Sequence, residues 1–522
     1  MPRKPKVYLL IQARTDSSRL FGKCLFLIKN KETILLLHDR VKSKNYKTII
    51  LTSNEKSDDY LVELLKKKKI KYFRGDLENV RDRFLKFSKK LKKEDILIRC
   101  TGDNLFLDKY FIKNLIFEFQ KSKLQYLNID REKSLLPYGM GAEVFTVDAL
   151  KLSVAKSKFD LEHVTPPLKR KKSKTKSLVI KINQNLYNYR CTIDSLYDFF
   201  CIKKIFENHK INQKTHWLTL CKNLKILKKQ NIENEILKIF NKITIGTAQF
   251  DGKYGINNEN EKINFKEISK ILDYASHNYI NNIDTAWSYK KSEKNIGNYL
   301  KKNSNKFKIT SKFKIKNFEK INISLNRLNL KKLYLALLHD PQILIDNKNI
   351  ISKIYNKFKK KFKYFGASIN FPREYYFLKN NPYINHFQIP YNIVDDRWNV
   401  ILDNKKKNTI FHARSIFLQG LLLKKKLNYP KILKKNNLLI QKKVEYLTKK
   451  LNRFDAKDLM FSYVASNKRI DKIIIGVDSI NQVQQLPFYL LRNNLTNSDL
   501  RIIKNNIPKV NEVYKSPVKW KF

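Results

Sequence analysis

Four side chains suited to proton chemistry stand at or just beyond short apolar runs: Asp284 in NNIDT, Tyr289 in the loop that follows, Lys312 after FKIT, and His339 after LYLALL. Strands seldom end in such residues for packing alone. A free phenol titrates near pKa ~10 and is a poor acid at neutral pH, and a neighbouring ammonium lowers that value. The carboxylate would pair with and position the lysine, and the imidazole could orient a carbonyl substrate. A second set lies near the N-terminus. Arg14, Ser17, Ser18, Arg19, Gly22 and Lys23 crowd into ARTDSSRLFGKCL, directly after the apolar run VYLLIQ. Arginine forks and a lysine charge suit a polyphosphate, and glycine lets the backbone approach it. The spacing is not that of a Walker A loop.

Two repeating patterns must position these groups. From Lys6 to about Cys221, the runs VYLLIQ, TIILTS, KYFRG and DILIRCTG each precede a helical stretch, the rhythm of a mostly parallel sheet. LQYLNI, AEVFTV, LVIKI and RCTID read as further strands, some antiparallel. From Ile243 onward, eight strands are expected to begin near Thr244, Asn282, Lys308, Tyr334, Tyr364, His386, Thr409 and Lys472, with helices between them. Eight closes a (β/α)8 barrel, whose strand ends converge on one face. The expected organisation is an N-terminal domain over 1–221, a polar helical connector over 222–242 without a Pro/Gly/Ser linker, and the barrel over 243–522.

With 522 residues the chain needs more than one core, and 42% hydrophobic content is enough for ordinary packing. No window approaches a spanning helix, and the apolar run after MPRKPK is too short for a signal-peptide core. Five widely spaced cysteines without a Cys-x-x-Cys pattern read as free thiols in a reducing cytoplasm. The net charge of +61 would attract nucleic acid, acidic lipid or nucleotide phosphates. Its lysines are scattered, however, in the manner of an AT-rich coding bias. The one dense run, Lys169 to Lys176, reads as a solvated loop rather than a nucleic-acid patch.

The motif residues resemble two families. I-D-T-A-x-x-Y with S-E, then S-K, L-L-H-D-P, F-G-A-S, Q-I-P-Y-N and I-I-I-G-V are similar to the aldo/keto reductases. That resemblance implies a TIM barrel binding a nicotinamide cofactor, NAD or NADP, with Asp284, Tyr289, Lys312 and His339 as a tetrad and Tyr289 as the acid. It implies that Ser368 and Gln388 hold the carboxamide, with Ile369 where many members have asparagine. The loop from Ala413 to Gly420, including Ser415, would lie along the pyrophosphate. Gly476 and Asp478 would approach the adenosine, and a carboxylate at Asp478 favours a ribose hydroxyl over a 2′-phosphate.

The N-terminal loop resembles Q-A-R-x-x-S-x-R-L-P-G-K of the spore coat polysaccharide biosynthesis protein F family and the cytidylyltransferases, with Phe21 in place of proline. G-x-E-V-F (Gly141 to Phe145), L-E-H-V-T-P (Leu161 to Pro166) and R-C-T-I-D-S (Arg190 to Ser195) are also similar. This implies an α/β nucleotide-diphospho-sugar transferase fold, nucleotide contacts from Arg14, Ser17, Arg19 and Lys23, and Mg²⁺ held by Asp103 and Asp194. The expectation is a bifunctional cytoplasmic enzyme that transfers a nucleotidyl group, CMP from CTP, to a sugar or sugar acid and also reduces or oxidises a carbonyl or alcohol in a surface-glycan pathway. Oligomerisation stays open. The alternatives are a reductase carrying an inactive nucleotide-binding domain, and a basic protein that binds nucleic acid or a membrane surface.

Overall fold

The computed structural model describes residues 3–170, 174–227, 231–252, 263–303, 307–339, 349–423 and 431–520. The chain divides into two compact units, Met1–Ile236 and Leu237–Phe522.

In the first unit the strands are β1 (Val7–Gln12), a small hairpin of β2 (Leu27–Ile28) and β3 (Lys31–Glu32), β4 (Lys47–Ser53), β5 (Tyr72–Gly75), β6 (Ile96–Thr101), β7 (Tyr126–Ile129), β8 (Glu143–Thr146) and β9 (Thr175–Leu178). The main sheet runs β5-β4-β1-β6-β8-β7-β9. Strands β5, β4, β1 and β6 are mutually parallel, and β8 is antiparallel to both β6 and β7. Leu9, Leu10 and Ile11 of β1 have no exposed surface, which is why that strand is a continuous apolar run rather than an alternating one. Helices cover the sheet with one apolar stripe each: in Asp59–Lys67 the buried positions are Leu61, Val62, Leu64 and Leu65. The helix Lys109–Lys121 starts where the Asp108 carboxylate accepts from the amides of Tyr110 and Phe111, a cap that contributes about 1 kcal/mol.

The connection leaving β1 runs to β4, and β6 returns on the other side of β1. The crevice at their carboxyl ends is therefore a topological switch point, where ligands of such sheets bind. Gly102, just past β6, has Ala13 and Gln12 so close that a Cβ would lie 2.9 Å from the Ala13 Cβ.

Two expected strands are corrected. RCTID is not a strand: Cys191 N–H donates to Tyr138 O and Ile193 N–H to Asp103 O, so single bonds to two loops replace a ladder. LVIKI shares only Leu178 with β9. Beyond it Ile180 N–H donates to Ser134 Oγ, and Val179 is exposed. The basic run is likewise not a plain loop. Lys169 lies in the last turn of the helix Pro166–Arg170 and faces Glu143 at 3.5 Å, and Lys176 lies in β9, 3.6 Å from Glu118. Residues 171–173 of that run lie outside the described residues, as do 228–230 of the expected connector. Most of the described remainder of the connector belongs to the helices Trp217–Leu227 and Ile232–Phe240.

The second unit is a closed, all-parallel barrel of β10 (Ile243–Gly246), β11 (Asn282–Asp284), β12 (Lys308–Phe313), β13 (Leu333–His339), β14 (Phe362–Ser368), β15 (His386–Pro390), β16 (Ile410–Arg414) and β17 (Lys472–Gly476), where β17 closes onto β10. Each strand begins within two residues of its expected start. Inside the barrel His386 and His412 lie buried with Nδ1 and Nε2 2.9 Å apart, and burial lowers His386 to about 4. All five cysteines are free and buried; burial pushes the Cys201 thiol up to about 11. Among the described residues no helix is long and apolar enough to cross a membrane.

Candidate active sites

Parallel pairing gathers the barrel's polar residues at one end, with His339, Ser368 and Gln388 in register across three strands. Asp284 is the last residue of β11, Lys312 lies near the end of β12, and His339 is the last residue of β13. The Lys312 ammonium donates to Asp284 Oδ1, and Gln388 Nε2 donates to Asp284 Oδ2 at 2.7 Å. Ser368 Oγ donates to Gln388 Oε1 at 3.3 Å. Both oxygens of the buried carboxylate are thus engaged. Tyr289 precedes the helix Lys290–Lys302, and Lys312 Nζ lies 5.9 Å from the centre of its ring. Burial pushes Lys312 below its usual value while Asp284 pulls the other way. Burial and the charges of Lys312, Arg414 and Lys314 bring His339 down to about 3, so the imidazole is neutral at ordinary pH.

The S-E pair of the motif has a packing task. Glu293 is fully buried, accepts from Ser311 Oγ at 2.9 Å and from Ser324 Oγ, and meets Arg327 NH1 at 3.4 Å. Burial raises its pKa. Arg327 also donates to Trp287 O at 3.1 Å, which pins the loop between Asp284 and Tyr289. Ser292 Oγ donates to Thr247 Oγ1 at 2.8 Å, joining the same helix to the end of β10.

All ten expected residues of this unit, the tetrad with Ser368, Gln388, Ser415, Gly420, Gly476 and Asp478, line one cavity of about 610 Å³. Its wall after β16 has left-handed backbone at Ser415, Leu418, Gln419 and Gly420, with φ of 56°, 49°, 53° and 89°. Turns of this kind present main-chain amides to an anion. Gln249 Oε1, buried against Gly476 in the same wall, has no hydrogen-bond partner among the described residues. Such a cavity fits a dinucleotide. Asp478 Oδ1 accepts from Gln482 Nε2 at 2.6 Å, which fixes the carboxylate at the cavity's edge. Ile369 is buried, whereas Asn370 faces the cavity and its Oδ1 accepts from Arg414 at 2.6 Å. Asp340 and Pro341 of L-L-H-D-P, and Lys253 to Gly255 of the stretch D-G-K-Y-G (251–255) expected at the mouth of the first barrel strand, lie outside the described residues.

In the first unit, Arg14, Ser17, Arg19, Lys23, Asp103 and Asp194 line a second cavity, of about 510 Å³, at the switch point. The loop after β1 is closed by Gly22 N–H to Thr15 O at 2.8 Å, with Gly22 left-handed at φ 70°. Asp58 clamps it from below, accepting from Thr15 N–H at 2.6 Å and Thr52 Oγ1 at 2.9 Å. Sequence reasoning missed Asp58 because a lone aspartate in a helical stretch carries no signal. Arg14 NH1 donates to Leu77 O at 2.9 Å.

The motif fragments meet across the cavity floor. Arg99 Nε donates to Gln12 Oε1 at 2.9 Å and its NH1 to Glu143 Oε2 at 2.6 Å; Thr165 Oγ1 donates to Glu143 Oε1 at 2.8 Å. Although burial opposes it, Arg99 and Lys169 hold the Glu143 carboxyl below its usual range. Lys23 Nζ donates to Asp103 Oδ2 at 2.5 Å, Asp194 Oδ1 at 3.2 Å and Ile193 O at 2.8 Å. Burial works against ionisation of Asp103, but Lys23 keeps its pKa low. The two carboxylates therefore face one point, now filled by an ammonium. Among the described residues no group of three or more metal-binding side chains forms. Two carboxylates suit Mg²⁺ completed by substrate phosphates and water.

Residues 242–507, just over half the chain, match the aldo/keto reductase family. The chain belongs to that family. Its preceding part, residues 8–236, matches the cytidylyltransferase family, so this aldo/keto reductase carries a cytidylyltransferase domain ahead of its barrel. The cytidylyltransferase domain is 34% identical over 200 residues to an uncharacterized protein of Methanocaldococcus jannaschii, covering 37% of this chain and 80% of that one. It is 27% identical over 213 residues to spore coat polysaccharide biosynthesis protein SpsF of Bacillus subtilis, covering 38% and 86%. Among solved structures, a cytidylyltransferase from Leptospira borgpetersenii is similar at 26% identity and TM-score 0.39, over 43% of this chain and 94% of that one. The holo form of an aldo-keto reductase from Bacillus halodurans is similar at 17% identity and TM-score 0.44, over 53% and 95%.

Proposed function

We propose that the two domains catalyse separate steps of glycan-precursor synthesis in the cytoplasm: CMP transfer from CTP to a sugar or sugar acid, with Mg²⁺, and NAD(P)-dependent interconversion of a carbonyl and an alcohol. The observation that supports this reading is that each unit gathers its own scattered motif residues around one cavity. The assignment to polysaccharide synthesis draws on the name of the Bacillus subtilis relative.

In the barrel, the nicotinamide, when bound, supplies hydride to the carbonyl carbon. Tyr289 delivers the proton to the carbonyl oxygen, which completes the alcohol. Lys312, fixed by Asp284, stabilises the charge left on the phenolate. Neutral His339 donates a hydrogen bond that orients the same oxygen. Ser368 and Gln388 would orient the carboxamide, and the Ser415–Gly420 turn would carry the pyrophosphate. Asp478 would accept from a ribose hydroxyl, which tilts the choice between NAD and NADP toward NAD.

In the transferase, a sugar hydroxyl attacks the α-phosphorus and gives up its proton to solvent while the bond to pyrophosphate breaks. The protein's part is to position the reactants and neutralise charge. Arg14, Arg19 and Lys23 take the phosphates from the loop, with Ser17 beside them. Asp103 and Asp194 would hold Mg²⁺, which supplies further charge neutralisation at the phosphates. The test is separability. Asp103→Asn should abolish pyrophosphate release from CTP while reductase turnover survives. Tyr289→Phe should cut that turnover by about 10²-fold with cofactor binding intact. Full activity of either variant in its own assay would overturn that half of the reading.

A further inference from the structure

We infer that Lys23 holds the place of the divalent cation between Asp103 and Asp194, so that the site takes metal only together with a triphosphate. This rests on the transferase reading above. The ammonium is enclosed by three oxygens, from Asp103 at 2.5 Å, Ile193 at 2.8 Å and Asp194 at 3.2 Å, the kind of donor set a small hard cation uses. The three side chains are 13%, 17% and 9% exposed for Lys23, Asp103 and Asp194, so water does little to screen them. Asp194 also carries Arg19 NH2 at 3.0 Å and Arg190 NH2 at 2.9 Å. Arg190 also meets Asp198 at 3.3 Å, so three cations face three carboxylates and the cluster is already neutralised before any ligand arrives. A bare divalent ion would have to displace the Lys23 ammonium from both carboxylates and then share Asp194 with Arg19 and Arg190, like charges that weaken its hold.

A triphosphate changes the balance. It is strongly anionic and offers new partners to Lys23 and Arg19 at the moment it brings its metal. The exchange needs only a side-chain rotation, because the backbone around Lys23 is fixed on both sides. Gly22 N–H is bonded to Thr15 O, and Lys23 O accepts from Thr33 Oγ1 at 2.7 Å. Arg19 is 65% exposed, so it can turn from Asp194 to an incoming phosphate. The species bound is then the metal–nucleotide complex, and idle aspartates do not collect metal.

The test is Mn²⁺ binding to the full chain, followed by water-proton relaxation, with and without CTP. The wild type should bind Mn²⁺ at this site only when CTP is present. Lys23→Met should bind Mn²⁺ without nucleotide at least about tenfold more tightly than the wild type. Adding Asp103→Asn to Lys23→Met should remove that gain, which separates this site from adventitious ones. Lys23→Gln serves as a second variant, and an unchanged melting midpoint of the N-terminal unit reports correct folding of the unit that carries the site. Equal Mn²⁺ affinity of the wild type with and without CTP, or no gain in either Lys23 variant, overturns the inference. If the wild type binds Mn²⁺ with none of the four nucleoside triphosphates, the transferase reading itself fails.

Discussion

Replacing Asp284 by Asn keeps the shape of the side chain and removes the carboxylate that Lys312 and Gln388 share. Lys312 and Asp284 are only 5% and 7% exposed, so solvent cannot take over the pairing. Breaking a buried pair by removing one partner costs about 3–5 kcal/mol. The lysine can escape by losing its proton, which at pH 7 costs a side chain of ordinary pKa about 5 kcal/mol and so caps the loss. For a unit of this size the barrel's melting midpoint should fall by roughly 6–10 °C. The pH dependence separates this cause from simple misfit. In the variant, the folded state holds Lys312 neutral while the unfolded chain protonates it, so the unfolded state binds the extra proton and stability rises with pH. The deficit should narrow by up to ~1.4 kcal/mol per unit above pH 7, until the wild-type lysine, itself lowered by burial, also loses its proton. Calorimetric unfolding of both proteins from pH 7 to 9.5 provides the measurement. A variant within about 1 kcal/mol of wild type, or a deficit that does not narrow, refutes the ion-pair argument.

Histidine resonances followed by NMR should show His339 and His386 neutral at pH 5.5. Their folded values of about 3 and about 4 lie below the unfolded one, so the stability they carry is complete above the unfolded value and is lost as pH falls toward those folded values. A midpoint near 6.5 for His339 would contradict its burial beside three cations. Asp478→Arg should shift cofactor preference from NAD toward NADP, measured as the ratio of kcat/KM values; a wild type that already prefers NADP strongly would show the carboxylate is misassigned. Binding to duplex DNA should weaken steeply with salt and vanish near physiological ionic strength, and sequence-selective binding there would count against a scattered lysine excess.

The barrel was legible because its strands are buried on both sides and so read as apolar runs, four of which close on a polar residue that packing would not select: Asp284, His339, Ser368 and Arg414. Ser368 and Gln388 share a wall with the tetrad for that reason. What stayed hidden was pairing over distance. Gln388 could be placed beside the tetrad, yet nothing in its surroundings shows that its amide would hold Asp284, 104 positions earlier. Lys23 and its two aspartates read as a phosphate ligand and a metal pair, whereas folding joins them across 80 and 171 positions. RCTID has strand composition, but its neighbours in space are the loops at Asp103 and Tyr138, which offer no ladder. The Gln12–Arg99–Glu143–Thr165 chain could be seen only as separate fragments.

Glu293 has a consequence for anyone reshaping the barrel. It lies one helical turn beyond Tyr289, and Ser311 directly precedes Lys312, so a single hidden carboxyl couples the backbone beneath the phenol to the backbone beneath the ammonium. The two move as one piece. Loops at the mouth can be exchanged to recruit other carbonyl compounds without detuning the acid, provided Glu293, Ser311, Ser324 and Arg327 travel with it to the new scaffold. A graft that copies only the four reacting side chains would keep their chemistry and lose their alignment.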